Sequence, residues 1–533
     1  MSIKSNPDSQ KTQNKIFKIS RILLKSLLME IQNPFYLSIF AFLTSFIVFF
    51  LYKTLEHQER DYSPKTHPIL GCLIEFYRNR TRLLHWYTDL LTSSPTNTFV
   101  IRRIGARRSI VTTNPRNVEY LLKTNFDNYP KGSPFTDVLG DLLGTGIFNC
   151  DGQRWHTQRK VASHEFTTRS LRHVVVGTIK SEVTERLVPV LDDATKETNI
   201  VDMQDLLRRF AFDTICRISL GYDPKLLMKN LPASEFAEAF DAAAEICALR
   251  GVAPMACVWK MKRFLGIGSE RVLKEKIGII HKSITDLIVK RTTNNSDDSN
   301  NNDFLSRLIA GGNSVEVTRD MVISFVMAGR DTSSAALTWF FYLLSHHPDV
   351  ESKVVSEVLE LLKPPTATTD DEDDETAIFK SLKQMKFLEA CLMETMRLYP
   401  PVVWDSKHAS NSDVLPDGTF VGKGDRVTYF PYGMGRMEEL WGENWSVFDP
   451  YRWLSSSSEE LVKVSPYKFP VFQAGPRVCL GKEMAFVQMK YVAAAVLSKF
   501  ELRRVPGDEP VFVPLLTAHM AGGLKMLVKE RKL

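Results

Sequence analysis

Cys479 lies in a segment whose residue types and spacing could bind a metal cofactor. Phe472, Gly475, Arg477 and Gly481 surround it in the order F-x-x-G-x-R-x-C-x-G. A lone cysteine is more often a small buried hydrophobe than a ligand. Here glycine would let the backbone approach a flat cofactor, amide donors would surround the sulfur, and the arginine would pair with an anionic group. A thiolate on haem iron has these needs, so the segment predicts an axial haem ligand at Cys479.

A polar sequence interrupts a long apolar helix that is predicted over Thr318–His346. A helix that is apolar nearly all round lies in the core of a large protein. Within it, Ala328, Gly329, Asp331 and Thr332 include residue types that are unfavourable in a buried helix. In one interpretation, Thr332 only bonds back to a carbonyl one turn earlier. In the other, the small residues let the helix cross the face of the cofactor, while Asp331 and Thr332 supply protons to dioxygen.

Two residue pairs at helical spacing could be structural or functional. Glu394 and Arg397 fall on one face of a helix predicted over Leu382–Leu398, where such a pair is usually a weak surface salt bridge. Trp155 and Arg159 lie one helical turn apart, which is also typical of an amphipathic helix with an incidental basic residue. Spacing alone does not decide between these interpretations for either pair.

Together these four motifs resemble the cytochrome P-450 superfamily of haem-thiolate monooxygenases. They occur in the expected order over residues 155–481, and the resemblance extends from about residue 62 to residue 533. It implies a mostly α-helical fold with small β-sheets, a haem held by the Cys479 thiolate, and a buried triad in which Arg452 joins Glu394 and Arg397. The implied contacts to the haem come from Trp155, Arg159, Phe472, Gly475, Arg477 and Gly481, and the implied oxygen-activating residues are Asp331 and Thr332.

Longer strings resemble one branch of that superfamily, the plant ω-hydroxylases of fatty acids and of jasmonoyl-amino acids. They include V-W-D-S-K-H-A over 403–409 and L-L-T-A-H-M-A-G-G over 515–523. The resemblance implies hydroxylation of the terminal carbon of an aliphatic carboxylate, with O2 and with electrons from NADPH through an NADPH-cytochrome reductase. We expect jasmonoyl-L-isoleucine, hydroxylated at carbon 12, as the substrate, with a fatty acid as the alternative. The side chains expected to line an alkyl channel are bulky and apolar: Val402, Val403, Trp404, Leu515 and Leu516.

Two other kinds of haem protein are alternatives to a monooxygenase. A haem-thiolate isomerase or dehydratase rearranges a hydroperoxide without O2 or a reductase. Such an enzyme needs no proton supply, so the intact pair Asp331 and Thr332 argues against it. A non-catalytic haem protein would sense ligands or carry electrons, and turnover of a lipid with NADPH and reductase would distinguish it from an enzyme.

Composition and charge are those of a globular enzyme in a reducing compartment. The chain has 533 residues, of which 44% are apolar and 24% are charged. Its seven cysteines are scattered and include no C-x-x-C pair, which argues against disulfides and a zinc site. The net charge of +6 is modest, and no basic stripe with interleaved aromatic residues suggests a nucleic-acid partner.

The N-terminal region predicts attachment to a lipid bilayer. Residues 34–52 are apolar apart from two serines and one threonine, and nineteen helical residues span roughly 28 Å, close to the hydrocarbon thickness of a bilayer. The predicted organisation is a basic extension over 1–33, a transmembrane anchor over 34–52, a linker over 53–68 and the haem-thiolate monooxygenase domain over 69–533.

The orientation of this anchor involves two opposing signals. Six lysines and arginines against two acids in residues 1–33 would keep the N-terminus cytosolic by the positive-inside rule. The family resemblance implies the opposite, with the enzyme on the endoplasmic reticulum and facing the cytosol. Translation from Met29 in place of Met1 would remove the conflict. Alternatively, the basic extension resembles an organellar presequence.

Overall fold

A computed structural model of the protein describes residues 63–532, apart from 68, 168–170, 197–199, 229–233, 254, 294–302, 363–373, 458 and 508, together with the isolated positions 38, 42, 44 and 45. The predicted extension over 1–33 lies outside the described residues, as do nearly all of the predicted anchor over 34–52 and most of the linker over 53–68. Within the described part of the chain, no helix is both long and apolar enough to cross a bilayer.

The described chain is mostly helical with small sheets, which confirms the predicted fold class. In chain order, the α-helices among the described residues are α1 (Leu73–Arg78), α2 (Leu83–Ser93), α3 (Pro115–Glu119), α4 (Ser133–Leu143), α5 (Gly152–Ser163), α6 (Val176–Glu182), α7 (Val188–Lys196), α8 (Met203–Leu220), α9 (Glu235–Val252), α10 (Ala256–Leu265), α11 (Ser269–Thr293), α12 (Phe304–Ala310), α13 (Val315–Leu344), α14 (Pro348–Leu361), α15 (Asp374–Gln384), α16 (Lys386–Leu398), α17 (Pro431–Met434), α18 (Glu438–Trp441) and α19 (Lys482–Lys499).

The strands are short and form four small sheets within the described residues. They are β1 (Thr98–Ile101), β2 (Ser109–Thr112), β3 (Ile200–Asp202), β4 (Asp405–His408), β5 (Asp413–Val414), β6 (Phe420–Val421), β7 (Arg426–Tyr429), β8 (Phe500–Arg504), β9 (Phe512–Val513), β10 (His519–Met520) and β11 (Lys525–Glu530). The largest sheet has the order β1-β2-β7-β4, in which only β2 and β7 run parallel. The other sheets are β3-β11-β8, β9-β10 and β5-β6.

The long central helix α13 begins and ends close to the prediction. Ser314 caps its N-terminus, because the Ser314 side chain accepts a hydrogen bond from the Val317 N–H at 3.3 Å. The next helix, α14, begins at Pro348, a residue that suits the first turn of a helix and not its interior. Most of the α13 side chains are buried, and the helix packs against α8.

Two predicted elements differ from the observed ones because of contacts distant in sequence. The helix predicted over Leu382–Leu398 is divided at Met385, since the Glu357 carboxylate accepts the N–H groups of Phe387 and Leu388, both at 2.8 Å, and so begins a new helix. The sequence over Pro510–Val528 alternates apolar segments around 521–523, a pattern that predicts a single final hairpin. That prediction is wrong: β10 pairs with β9 before these residues, and β11 joins β8 and β3 after them.

Candidate active site

One cavity collects most of the residues that the sequence predicts to act. Its volume is about 670 Å³, within the range of sites that hold small molecules and cofactors. The predicted residues that line it are Trp155, Arg159, Thr332, Val402, Val403, Trp404, Phe472, Arg477, Cys479, Gly481, Leu515 and Leu516. The predicted residues that do not line it are Asp331, Glu394, Arg397, Arg452 and Gly475.

The loop around Cys479 is held by backbone contacts that need glycine. The Cys479 N–H donates to the Phe472 carbonyl at 2.8 Å. Gly475 has a φ of +64°, and a Cβ there would lie 1.9 Å from the Leu122 carbonyl oxygen. A side chain at this position would therefore push the loop away from its neighbour. A Cβ at Gly481 would make only ordinary contacts, 3.4 Å from Phe166 Cε1 and 4.0 Å from the Cys479 Sγ, so space alone does not require glycine there.

The Cys479 thiol opens into the cavity. It is exposed and lines the wall, whereas five of the other six cysteines are buried. The surrounding protein still keeps bulk water away, and this desolvation raises the pKa of the thiol. The Gly481 N–H and the positive charges of Arg159 and Lys482 oppose that effect. A metal bound here would therefore displace the thiol proton, as metal binding to cysteine requires.

Two arginines and an indole surround the same loop. Arg477 donates to the Asp151 carboxylate at 2.6 Å, and Arg159 donates to the Val478 carbonyl at 2.7 Å. The guanidinium carbons of Arg477 and Arg159 lie 4.5 and 5.7 Å from the centre of the Trp155 ring. Burial lowers the pKa of both arginines, and Asp151 opposes this effect at Arg477. Asp151 can neutralise only one of the two charges, so this wall keeps positive charge for an anionic group.

On the α13 side of the cavity, the Thr332 hydroxyl donates to the Ala328 carbonyl at 2.7 Å. Thr332, Ala328 and Gly329 all line the cavity. A Cβ on Gly329, however, would lie 2.5 Å from the Ile215 Cδ1 of α8. Glycine at this position is therefore required by the crossing of α13 with α8, a reason different from the predicted approach to a cofactor.

Asp331 lies between the cavity-lining residues Gly329 and Thr332 of α13 but does not line the cavity itself. It belongs to a separate charged group. Arg330 forms an ion pair with Asp241 at 2.6 Å and lies 3.6 Å from the Asp331 carboxylate. Burial raises the pKa of Asp331, while Arg330 and Arg208 lower it. Since the burial effect prevails, the Asp331 carboxyl takes up a proton more readily than an exposed aspartate does.

The structure brings Glu394, Arg397 and Arg452 together in the core. Arg397 donates to the two Glu394 oxygens at 2.7 and 2.8 Å, and Arg452 donates at 3.0 Å. The Trp453 indole and the Asp449 N–H donate to the same carboxylate at 2.9 and 3.0 Å. The side chains of Glu394 and Arg397 are both 0% exposed, which excludes the weak surface salt bridge that the spacing alone allowed.

The apolar side chains predicted to form a channel all line the cavity, with different degrees of burial. Val403 is 3% exposed and packs in one hydrophobic cluster with Phe430, whereas Val402, Trp404 and Leu516 are half-buried. The Trp404 ring stacks on Phe430 with 6.2 Å between the ring centres. Aromatic stacking and core packing therefore stiffen this wall.

A buried charge cluster beside the cavity was not predicted from the sequence. Lys131 donates to the Asp405 carboxylate at 2.5 Å, while Lys407 and the Tyr429 hydroxyl donate to it at 3.1 and 3.0 Å. Burial lowers the pKa of Lys407 to about 7, although Asp405 raises it. The i, i+2 spacing of Asp405 and Lys407 puts both on one face of β4, and this spacing is the one local signal that could have indicated the cluster.

The side chains that line the cavity have the chemistry that a haem requires. Its wall combines the Cys479 thiol with the cations near Trp155. Two further atoms on that wall, Gln473 Oε1 and Gln488 Nε2, are buried and have no hydrogen-bond partner among the described residues. Buried polar atoms without a partner are costly unless a ligand or water supplies one. The residues present therefore fit an iron protoporphyrin with an axial thiolate.

Comparisons with known proteins agree with this geometry. The family model described as cytochrome P450 matches residues 62–521. Cytochrome P450 94B1 and cytochrome P450 94B3 of Arabidopsis thaliana are 51% and 54% identical, over 95% and 92% of this chain and 99% and 97% of their own lengths. Cytochrome P450 94A1 of Vicia sativa is 44% identical over 88% of this chain and 90% of its own. The crystal structure of the cytochrome P450DA heme domain has a similar fold, with a TM-score of 0.72 and 21% identity over 88% of this chain and 97% of that one.

Proposed function

Since this chain belongs to the cytochrome P450 family and is a haem-thiolate monooxygenase, we propose that it hydroxylates the terminal carbon of an aliphatic substrate that carries a carboxylate. The observation that supports this most is a single cavity in which Cys479 and Thr332 share the wall with the bulky apolar side chains of Val402, Trp404 and Leu516. Jasmonoyl-L-isoleucine, hydroxylated at carbon 12, is the proposed substrate, and a fatty acid is the alternative. The strings over 403–409 and 515–523 support both choices.

The substrate is tested by turnover. The haem-loaded enzyme is incubated with reductase, NADPH and either jasmonoyl-L-isoleucine or dodecanoic acid, and mass spectrometry locates the added oxygen. We expect a terminal alcohol whose oxygen comes from O2. Oxidation of aromatic or steroid rings alone would contradict the proposal, and product formed without NADPH would indicate an isomerase or dehydratase.

In this proposal the chain contributes the ligands that hold the cofactor. A bound haem would supply the chemistry of dioxygen activation, with electrons from NADPH, for insertion of one oxygen atom into a C–H bond. The Cys479 thiolate would hold the iron, since its sulfur opens into the cavity. Trp155, Arg159 and Arg477 would hold the haem propionates, the two arginines through a positive charge that Asp151 only partly neutralises.

We assign Thr332 to proton supply at its hydroxyl oxygen. The Thr332 proton is engaged by the Ala328 carbonyl at 2.7 Å, so the lone pairs of the oxygen can accept a hydrogen bond from a water in the cavity. Thr332 would thereby orient that water as a proton donor. Asp331 does not line the cavity, so it would restore the proton of that water only indirectly, a role that suits a carboxyl whose pKa is raised by burial.

Replacing Thr332 with alanine should leave substrate binding unchanged and uncouple the reaction. We expect product per NADPH to fall by about a hundredfold, at the lower end of what one acid–base group contributes, with peroxide released instead. The measurement compares NADPH consumed, peroxide and product. Thr338→Ala is the matched control, because the Thr338 hydroxyl makes the same bond to the Ser334 carbonyl at 2.7 Å but does not line the cavity. An unchanged yield in Thr332→Ala would remove this residue from the mechanism.

Selectivity for a chain end has to come from the shape of the channel, because terminal C–H bonds are the strongest in an alkyl chain. Replacing Val403 or Leu516 with alanine should widen the channel and move hydroxylation inward along the chain. We expect the ratio of terminal to internal product to fall about tenfold, since a missing methylene in a pocket is worth about 1–3 kcal/mol. Val427→Ala is the control, because Val427 of β7 is 0% exposed and does not line the cavity. Parental product ratios in both variants would exclude this channel.

We also propose a redox partner and a membrane location for the enzyme. Members of this family take electrons from a redox partner, and we propose an NADPH-cytochrome reductase for this chain. Residues 34–52 would anchor it in the endoplasmic reticulum membrane, with residues 69–533 as the catalytic domain in the cytosol. Organellar targeting by residues 1–33 is the alternative. Cell fractionation of the enzyme with and without residues 1–52 tests the anchor, since both forms in the membrane fraction would contradict it.

A further inference from the structure

The four-stranded sheet carries cationic side chains on both of its faces. In the antiparallel pair of β4 and β7, Asp405 lies opposite Tyr429 and His408 lies opposite Arg426. Side chains alternate between the faces of a strand, so Asp405, Lys407 and Tyr429 share one face while Arg426 points from the other. Arg426 therefore lies on the face opposite the cluster around Asp405, although the Asp405 charge still acts on it through the sheet.

A second arginine lies beside Arg426 on that other face. Ser109 of β2 is paired both with Arg426 of β7 and with Ile101 of β1, and Arg103 follows Ile101 by two residues. Arg103 and Arg426 both line the main cavity, and both also line a recess of about 50 Å³ next to it. The rest of the wall of this recess is mostly apolar and includes the rings of Phe76, Tyr87 and Trp404.

Neither of these two arginines has an acidic partner among the residues that the structure describes. Arg426 donates from Nε to the Ser406 hydroxyl at 2.9 Å. The Arg103 guanidinium lies over the Phe76 ring at 4.2 Å, and its buried Nη1 has no hydrogen-bond partner in the described chain. Four other cations on the cavity wall form ion pairs, namely Lys131 with Asp405, Arg250 with Glu270, Lys260 with Asp137 and Arg477 with Asp151. Arg107 and Arg159 line the cavity without an ion pair to a described residue.

Two neighbouring guanidinium groups without a counterion repel each other. Burial lowers the pKa of Arg426, and the charge of Arg103 lowers it further, although Tyr87 and Asp405 oppose both effects. The exposed Arg107 adds a third positive charge to the same recess, where its guanidinium donates to the Gly424 carbonyl at 3.3 Å. A buried donor without a partner costs free energy, so an anion that enters from the cavity would be held strongly.

We propose that Arg103 and Arg426 bind the carboxylate of the substrate. This inference rests on the proposed function, because it assumes a substrate with an alkyl end and a carboxylate. The carboxylate would lie against the sheet, and the alkyl chain would extend through the same cavity toward Cys479. Fixing one end of the substrate at the arginines limits which carbon reaches the reactive position at the other end.

The test measures binding to the haem-loaded enzyme through the spectral change that a titrated substrate causes, independently of turnover. The probes are jasmonoyl-L-isoleucine and dodecanoic acid, each beside its methyl ester. In Arg103→Gln and Arg426→Gln, the Kd of the acids should rise about tenfold or more, because hydrogen bonds to charged groups are lost. The Kd of the esters should change by less than about twofold. Arg103→Lys should recover part of the affinity for the acids.

Lys260→Gln is the matched control, since Lys260 lines the same cavity but is already paired with Asp137 at 3.1 Å. Equal losses of affinity for acids and esters would overturn the assignment, as would unchanged Kd values for the acids. Arg103→Gln decides the matter if Arg426→Gln fails to fold, because the Arg103 guanidinium donates no hydrogen bond to a described residue. A parent enzyme that binds neither acid would refute the proposed function itself. A parent that hydroxylates terminal carbons, with variants that bind acids normally, would refute only the arginine site.

Discussion

Replacing Cys479 with alanine should abolish both monooxygenase activity and the red-shifted Soret band of the ferrous–CO complex. The physical reason is that alanine offers no atom to the iron, and the thiolate is what produces that band. Cys479→His should retain a ligand but lose the red shift. The measurements are the CO difference spectrum and the haem content of the purified variants.

Cys257→Ala is the control for this experiment, because Cys257 is also exposed but does not line the cavity. It should keep the parental spectrum and activity. Haem and a red-shifted band in Cys479→Ala would show that another residue ligates the iron. Loss of the band in Cys257→Ala as well would show that the change reports general damage and not ligation.

Replacing Glu394 with alanine should prevent accumulation of folded, haem-loaded protein. The change leaves Arg397 buried without its carboxylate and removes an acceptor from Arg452 and from the Trp453 indole. Breaking a buried ion pair costs about 3–5 kcal/mol, a large part of the roughly 5–15 kcal/mol that stabilise a typical protein. Arg397→Ala and Arg452→Ala should act in the same direction. The measurements are haem per purified protein and the thermal midpoint.

The matched control is Glu75→Ala, which removes a pair of the same spacing at the surface. Arg78 and Glu75 are 2.9 Å apart, and their side chains are 69% and 21% exposed. Exposed pairs contribute about 0–1 kcal/mol, so this variant should keep its haem and its thermal midpoint. If Glu394→Ala behaved like Glu75→Ala, the buried cluster would have no special role in stability.

The sequence predicted the parts of the site that depend on neighbours in the chain. The loop at Cys479 is defined by its own glycines, since the positive φ of Gly475 is a property that few other residues adopt. The helix with Thr332 follows from its continuous apolar character and its flanking Ser314 and Pro348. The family resemblance drawn from these motifs is confirmed by the match over residues 62–521.

The sequence could not predict how deeply a residue is buried, and the role of a charged pair depends on that burial. The i, i+3 spacing of Glu394 and Arg397 predicted their contact, but the same spacing occurs in Glu75 and Arg78 at the surface. Local sequence also could not reveal that the predicted helix is divided at Met385, because the Glu357 carboxylate that begins the second helix comes from another element.

Local rules therefore account for the Cys479 loop and the central helix, because backbone dihedrals and helix periodicity act over a few residues. Local rules do not predict which charges form pairs, because pairing depends on the distances between elements that are far apart along the chain. Arg103 and Arg426 become neighbours only because β2 pairs with β1 on one side and with β7 on the other. Whether an arginine meets an acid or stays available to a ligand is settled by that packing, because Coulomb attraction weakens with distance in space, and separation along the sequence does not enter it.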